Sequence, residues 1–583
     1  MTRYRFGVLA AVAAVLCAGL PGGAQQAARP FVPVTDEMLL KPDPADWLMW
    51  RRTLDSWGYS PLNQITRTNV GRLKMVWTRG MGPGTIQETT PLVYRGVMYA
   101  PSPSDLIQAL DAKTGRLLWE YKRKLPADLN KFLPAFEINR NLSIYGNTII
   151  DTSSDDYLFA LNAETGALVW ETKILDYQRG AQQTSGPIIA NGKVFSARGC
   201  EPEGGPEACI ITAHDARTGK ELWRTRTIPA QGEPGSETWG QVPMDKRVHV
   251  GAWMVPSYDP VLNLVIVGTS VTAPAPKFML DGNDKTYLHH NSTLALDGNT
   301  GRIVWSYQHV VDHWDLDHPF ERLLIDTVVA PDPKSVSWIS PKVKAGETRR
   351  VVTGIPGKTG IVYTLDRQTG EFLWARPTVP QNVITRIDEK GTAVVNPEAL
   401  FTGPKQERLI CPSTNGGKNW PAGAYSPQTR MMYFPLHNIC MTVTTIPNSD
   451  AIEAVYGFGT QYSIAPGKTN VGVVEAISVE TGATAWKHER RAGTLSLVAT
   501  GGGLVFGGDA NGRFLAFDDR SGKVLWEINL GSPVSGYPVT FAVDGKQYVA
   551  VSTGPSLVAN AAVRLTPELK PSNASQMYVF ALP

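Results

Sequence analysis

Two aspartates, Asp315 and Asp317, stand two residues apart beside Trp314 in the stretch WSYQHVVDHWDLDHPF, residues 305–320. A carboxylate pair at this spacing can do two kinds of chemistry. One member can take a proton from a substrate as a general base. The two together can hold a hard cation, which prefers anionic oxygen ligands. A structural pair capping loop amides would use the same residue types. The run is dense in charge and imidazole, which predicts an exposed loop rather than core. For such a loop to act as a site, regular elements before and after it must hold it in place.

Those elements are legible as an internal repeat. The unit A-L-D-A-x-T-G-x-x-x-W occurs as ALDAKTGRLLW ending at Trp119 and ALNAETGALVW ending at Trp170. It returns, with substitutions, in units ending at Trp223, Trp305, Trp374, Trp486 and Trp526, making seven complete copies. Each copy predicts a hairpin: an apolar strand, a turn at Asx-x-x-Thr-Gly where the Gly supplies positive φ, and a second strand ending on the Trp. A Trp at one fixed place per unit suits a large ring docking between neighbouring sheets. The eighth copy is split. The chain ends YVFALP, which supplies Ala581-Leu582, and NVGRLKMVW near the other end supplies Trp77. Pairing the first strand with the last closes a ring and removes the exposed edges. A linear solenoid would leave both half-units unpaired and need capping repeats. The expectation is an all-β, eight-bladed β-propeller with tryptophan-docking repeats. Trp374 and Trp486 lie 112 residues apart, so residues 376–470 are expected to give the first strands of the Trp486 unit plus insertions.

The charge is nearly balanced, with 56 basic and 53 acidic residues, which excludes the basic excess of a nucleic-acid binder. Arg3 and Arg5, an apolar run from Val8 to Leu20, and Gly22-Gly23-Ala24 read as a cleaved signal peptide over residues 1–24. Cys17 would suggest a lipid anchor, but Leu16 stands where a small residue is needed. Residues 25–583 then form a single exported, periplasmic propeller domain with no transmembrane anchor. Four cysteines remain, and the pairs Cys200–Cys209 and Cys411–Cys440 each close a short loop; free buried thiols are the alternative. No CxxCH motif for attached haem is present.

The docking units together with DSWGYSPLNQITRTNVGRLKMVW (residues 55–77) resemble the pyrroloquinoline quinone (PQQ)-dependent alcohol dehydrogenases, the methanol/ethanol dehydrogenase family, over essentially the whole mature chain. PQQ is a flat tricyclic ortho-quinone with three carboxylates, so its site needs a flat platform and a cationic, hydrogen-bonding rim. The resemblance implies a platform at Trp253 in GAWMVPSYDP. It implies cofactor contacts from Glu88, Arg140, Thr152, Ser185 and Asn419, and a catalytic cation, Lys358, in PGKTGIVY. It implies one metal ion, calcium or a lanthanide, held by Glu201 (Glu203 being the alternative), Asp315 and the additional aspartate Asp317. Asp315 is also the expected catalytic base.

Three departures from the family pattern stand out. The metal-binding Asn of the family falls on Val271, with Ser270 and Thr272 as poor substitutes. Asp317 is followed by His318-Pro319-Phe320 rather than small residues. The stretch LPADLNKFLPAFEINR lacks the family's vicinal cysteine pair. The function expected is an exported quinoprotein dehydrogenase that oxidises an alcohol and passes electrons to a separate acceptor, such as a soluble cytochrome c. A non-catalytic envelope scaffold would keep the tryptophan units but has no need of Trp253, Arg140, Lys358 and Asp315 together. A PQQ-binding member with a degenerate metal site is the third reading, motivated by Val271.

Overall fold

The computed structural model describes residues 30–82, 86–133, 137–201, 204–447 and 456–583. The signal-peptide expectation for residues 1–24, with Cys17, and the alternative ligand Glu203 lie outside these. Residues 33–583 form one compact body.

Among the described residues, eight sheets each contain a four-stranded antiparallel ladder. The first repeat shows how the sequence makes one. Strands Leu92–Tyr94, Val97–Ser102, Leu106–Asp111 and Leu117–Lys122 pair in that order. The inner strands are buried on both faces and read as continuous apolar runs, while the outer strand alternates. In the turn between the third and fourth strands, Asp111 Oδ1 accepts from the amides of Lys113 and Thr114 and from the Thr114 hydroxyl. Gly115 follows at φ +74°. The same arrangement recurs at Asn162, Asp215, Asp297, Asp366 and Asp518.

Each Trp docks on the turn of the next sheet. A Cβ added at Gly115 would meet the Trp77 ring at 2.6 Å, and one at Gly166 would meet the Trp119 ring at 2.6 Å. Gly219, Gly301, Gly370, Gly482 and Gly522 stand in the same relation to Trp170, Trp223, Trp305, Trp374 and Trp486. For Trp77, Trp119, Trp223, Trp305 and Trp486 the indole N–H also bonds a carbonyl of that sheet, as Trp119 Nε1 does to Ala163 O at 3.0 Å, whereas Trp374 Nε1 has no partner. The Gly is thus required twice, for its backbone and for the ring above it. Truncating one of these rings to Ala is expected to cost about 3–5 kcal/mol.

The two chain ends share a sheet. Strand Lys74–Gly80 pairs with Gln576–Ala581, with Trp77 opposite Val579. Trp526 lies edge-on against Phe580 of that sheet at 5.4 Å. Between Trp374 and Trp486 the strands Ala424–Ser426, Met431–His437, Gly472–Ser478 and Thr484–Arg490 form one ladder. The surplus residues form a hairpin, Ile384–Ile387 with Ala393–Val395, and a three-stranded sheet of Glu407–Ile410, Ile439–Thr445 and Phe458–Ile464. Both expected cysteine pairs are disulfides.

In an antiparallel ladder the start of strand one, the end of strand two and the start of strand three lie on the same edge. The segments on that edge carry the candidate chemistry; the Asx-x-x-Thr-Gly turns lie on the other.

Candidate active site

The segments that precede the first strands supply Glu88, Arg140, Ser185, Trp253, Asp315, Asp317 and Asn419. The connections between second and third strands supply Glu201, Lys358 and the helix Leu557–Arg564. A cavity of about 530 Å³ opens at this edge, within the usual size range of small-molecule sites. Arg140, Glu201, Trp253, Asp315, Asp317, Lys358 and Asn419 all line it. Glu88, Thr152 and Ser185 do not. Glu88 stands behind Arg140, with Oε2 2.6 Å from Nη2, and also accepts from the Leu557 amide at the start of the helix. Ser185 Oγ donates to Ala197 O at 2.9 Å, and Thr152 is buried in its strand.

The run around Asp315 is core, not the exposed loop its charge suggested. Trp314, Leu316 and His318 are fully buried, and Asp315 and Asp317 nearly so. Burial is tolerated because every charge has partners. Asp312 accepts from the amides of Trp314 (2.7 Å) and Leu316 (2.6 Å) and from Asn291 Nδ2 (3.0 Å), folding the backbone so that Asp315 sits at φ +60°. Lys358 is tied by its backbone to Asp317 O and to the amide of Gly417, both at 2.8 Å. Its ammonium lies 2.8 Å from Asp315 Oδ1 and 3.0 Å from Asp317 Oδ2.

The two carboxylates are driven apart in proton affinity. Burial pushes Asp315 well above the usual carboxylate range, only partly offset by Lys358, and the charge of Asp317 adds to the rise. Burial also acts on Asp317, but Lys358, His249 and the Val271 amide outweigh it and hold that carboxylate below its usual range. Lys358 stays charged because its two carboxylate partners outweigh desolvation.

Trp253 presents a half-buried ring to the cavity. Its Nε1 donates to Asp317 Oδ2 at 3.2 Å, Phe320 meets it edge-on at 5.4 Å, and the Arg140 guanidinium lies 5.2 Å from its centre. Three buried N–H groups of cavity-lining residues, Arg140 Nε, Gln182 Nε2 and Asn415 Nδ2, have no hydrogen-bond partner. A flat ligand rich in carboxylate and quinone oxygens supplies what they lack, so these residues fit PQQ. Neither Gln182 nor Asn415, which lies four residues before Asn419, was foreseen from the sequence.

For the metal, Glu201, Asp315 and Asp317 offer carboxylate oxygens, which suit a hard cation. Val271 departs from that chemistry, since its amide donates to Asp317 Oδ1 at 2.8 Å and a donor cannot ligate a cation. Ser270 lines the cavity with its hydroxyl donated to His249 O at 2.7 Å, and Thr272 Oγ1 is engaged by Pro274 O and Lys277 Nζ. Among the described residues no group of three or more His, Cys, Asp or Glu side chains is arranged as a metal site.

Residues 47–386 and 468–549 match the family model "PQQ: Glucose/ethanol/alcohol dehydrogenase, beta-propeller domain". The chain is 31% identical to the dehydrogenase subunit of a quinone alcohol dehydrogenase from Komagataeibacter europaeus, over 93% of this chain and 76% of that one. It is 31% identical to 1-butanol dehydrogenase (cytochrome c) from Thauera butanivorans, over 90% and 76%. A europium-containing methanol dehydrogenase superposes with a TM-score of 0.82 at 26% identity, covering 94% of this chain and all of that one. The fold is therefore a β-propeller, and the chain belongs to the PQQ-dependent alcohol dehydrogenase family. It is a quinoprotein oxidoreductase acting on alcohol donors, with PQQ as its cofactor.

Proposed function

We propose that the mature chain, residues 25–583, is a single eight-bladed propeller domain, exported to the periplasm after loss of residues 1–24, that oxidises an alcohol to an aldehyde or ketone. The eight ladders, the Trp-on-Gly docking at seven junctions, the Trp526–Phe580 contact at the eighth and the pairing of the two chain ends support eight blades closed into a ring. Two disulfides suit an oxidising compartment. Among the described residues no helix is long and apolar enough to cross a membrane.

The observation that carries the catalytic reading is the triad of Asp315, Asp317 and Lys358 beside the exposed face of Trp253 in one cavity. When bound, PQQ supplies the hydride acceptor and the metal a Lewis acid. Trp253 gives the cofactor ring a platform, Arg140 a guanidinium for a carboxylate, and Asn419 a polar rim contact. Glu88 fixes Arg140, while Thr152 and Ser185 support the rim from behind. Asp315 takes the hydroxyl proton as the carbon-bound hydrogen leaves with its electron pair. The Lys358 ammonium, 2.8 Å from Asp315 Oδ1, favours the ionised form that can accept the proton and offsets negative charge as it develops. Glu201, Asp315 and Asp317 are the proposed ligands of calcium or a lanthanide. Electrons then pass to a separate acceptor such as a soluble cytochrome c, as the name of the Thauera relative indicates for that enzyme.

A second reading, a degenerate site that holds its metal weakly, is favoured by the Val271 amide and by Lys358 lying between the two aspartates. Reconstitution with PQQ plus calcium or lanthanum, followed by dye reduction across a panel of primary, secondary and polyhydric alcohols, tests the function. Alcohol-dependent reduction with stoichiometric metal is expected. Stoichiometric PQQ with substoichiometric metal selects the second reading, and no turnover of any alcohol rejects the enzyme.

A further inference from the structure

The wall of the cavity away from Trp253 includes one face of the helix Leu557–Arg564. Leu557, Asn560, Ala561 and Arg564, at i, i+3, i+4 and i+7, all line it. Ser556 caps the helix through the Ala559 amide at 3.2 Å, and Ala559 and Ala562 are buried against the body, so the face is held in place. The Leu557 amide is bound by Glu88, which fixes the start of the helix at the arginine proposed to hold the cofactor. Arg564 lies about 10 Å further along the axis, by the helical rise per residue. It is exposed and, among the described residues, has no carboxylate partner. The neighbouring Arg491 is differently placed, since it pairs with Glu568 at 2.5 Å.

Along the helix this wall runs from Leu557, whose amide meets the Glu88 that holds Arg140, through Asn560 and Ala561 to Arg564. Ile86 adds apolar lining, and Asp315, Asp317 and Lys358 line the same cavity. A helix-terminal Arg also complements the helix dipole, a role that needs no ligand. That role does not account for its side chain lining the cavity.

We propose that Arg564 is a specificity-determining residue that selects alcohols with an anionic group separated from the hydroxyl by a short hydrocarbon spacer, the class of the ω-hydroxy carboxylates. A guanidinium pairs with a carboxylate through two parallel N–H donors, which favours such a substrate over a neutral alcohol of equal length. This rests on the alcohol-oxidising reading of the same site.

The test is a series of ω-hydroxy carboxylates of increasing length against 1-alkanols of matching length, using enzyme loaded with PQQ and metal. The readout is the ratio of kcat/KM for acid over alkanol. The wild type is expected to show a ratio that peaks at one chain length. Arg564→Ala should lower it about tenfold or more, Arg564→Glu should lower it further, and Arg564→Lys should retain most of it. Raised salt should reduce the wild-type ratio and leave that of Arg564→Ala unmoved. A ratio that is the same in Arg564→Ala and wild type, with both turning over alkanols, overturns the role of Arg564 and leaves the alcohol dehydrogenase standing. Failure of the wild type to oxidise any alcohol overturns both.

Discussion

The Lys358 ammonium lies 2.8 Å from Oδ1 of Asp315, so the proposed base is held in a buried ion pair before any substrate arrives. The pair makes the carboxylate directional and places positive charge where the reaction develops negative charge. Asp315→Asn keeps the shape and removes the base. It should lower kcat for the best alcohol by about 10²–10⁴-fold while PQQ content is retained. Activity within a few-fold of wild type would show that another group takes the proton.

Trp253 tests the platform separately from the base. Trp253→Ala removes the flat face, the Arg140 contact and the hydrogen bond to Asp317 together. The dissociation constant for PQQ should rise about ten- to a hundred-fold, with Trp253→Phe between. Fluorescence titration with PQQ measures it, and unchanged affinity in both variants would remove Trp253 from the site.

Cys200 lines the cavity while Cys209 closes the loop nine residues on. Closing a loop of that length stabilises by about 2–3 kcal/mol in the chain-entropy model. The double variant Cys200→Ser/Cys209→Ser should therefore lower Tm and weaken PQQ binding, because the strand Gly199–Cys200 pairs with Ala181–Gln182 and so positions Gln182 in the cavity. Calorimetry and PQQ titration on the same preparation separate the two effects.

The repeat was legible because its signal is local: an Asx, a Thr, a Gly and a Trp at fixed spacing, each with a job in one turn. Trp253, Lys358 and Asp315 were legible through family resemblance, and the structure brings them to one cavity. Burial of the run from Trp314 to His318 was not, because it depends on Asn291 and Lys358 arriving from other segments to pair with Asp312, Asp315 and Asp317. The helix Leu557–Arg564 gave no signal either, since eight residues between two strands carry too little periodicity to mark a cavity wall.

On the opposite edge, Asp55 provides a pH test independent of catalysis. Burial raises its carboxyl to about 6, against hydrogen bonds from Thr53 and the Trp57 amide. A carboxyl with a raised folded value contributes stability fully below its unfolded value, near 3.8, and loses it as pH rises through about 6. The loss is at most roughly 2–3 kcal/mol. Asp55→Asn cannot ionise, so its Tm relative to wild type should improve between pH 4 and pH 8. A difference that is flat or falls with pH contradicts the assignment.

The most direct measurement is a single turnover. The protein is loaded with PQQ and calcium or lanthanum, freed of excess cofactor, and mixed with alcohol in the absence of acceptor while the quinone absorbance is followed. The account predicts one PQQ per chain and alcohol-dependent loss of the oxidised quinone band, abolished in Asp315→Asn. Failure to retain PQQ with either metal, or an equal spectral change in Asp315→Asn, would contradict it.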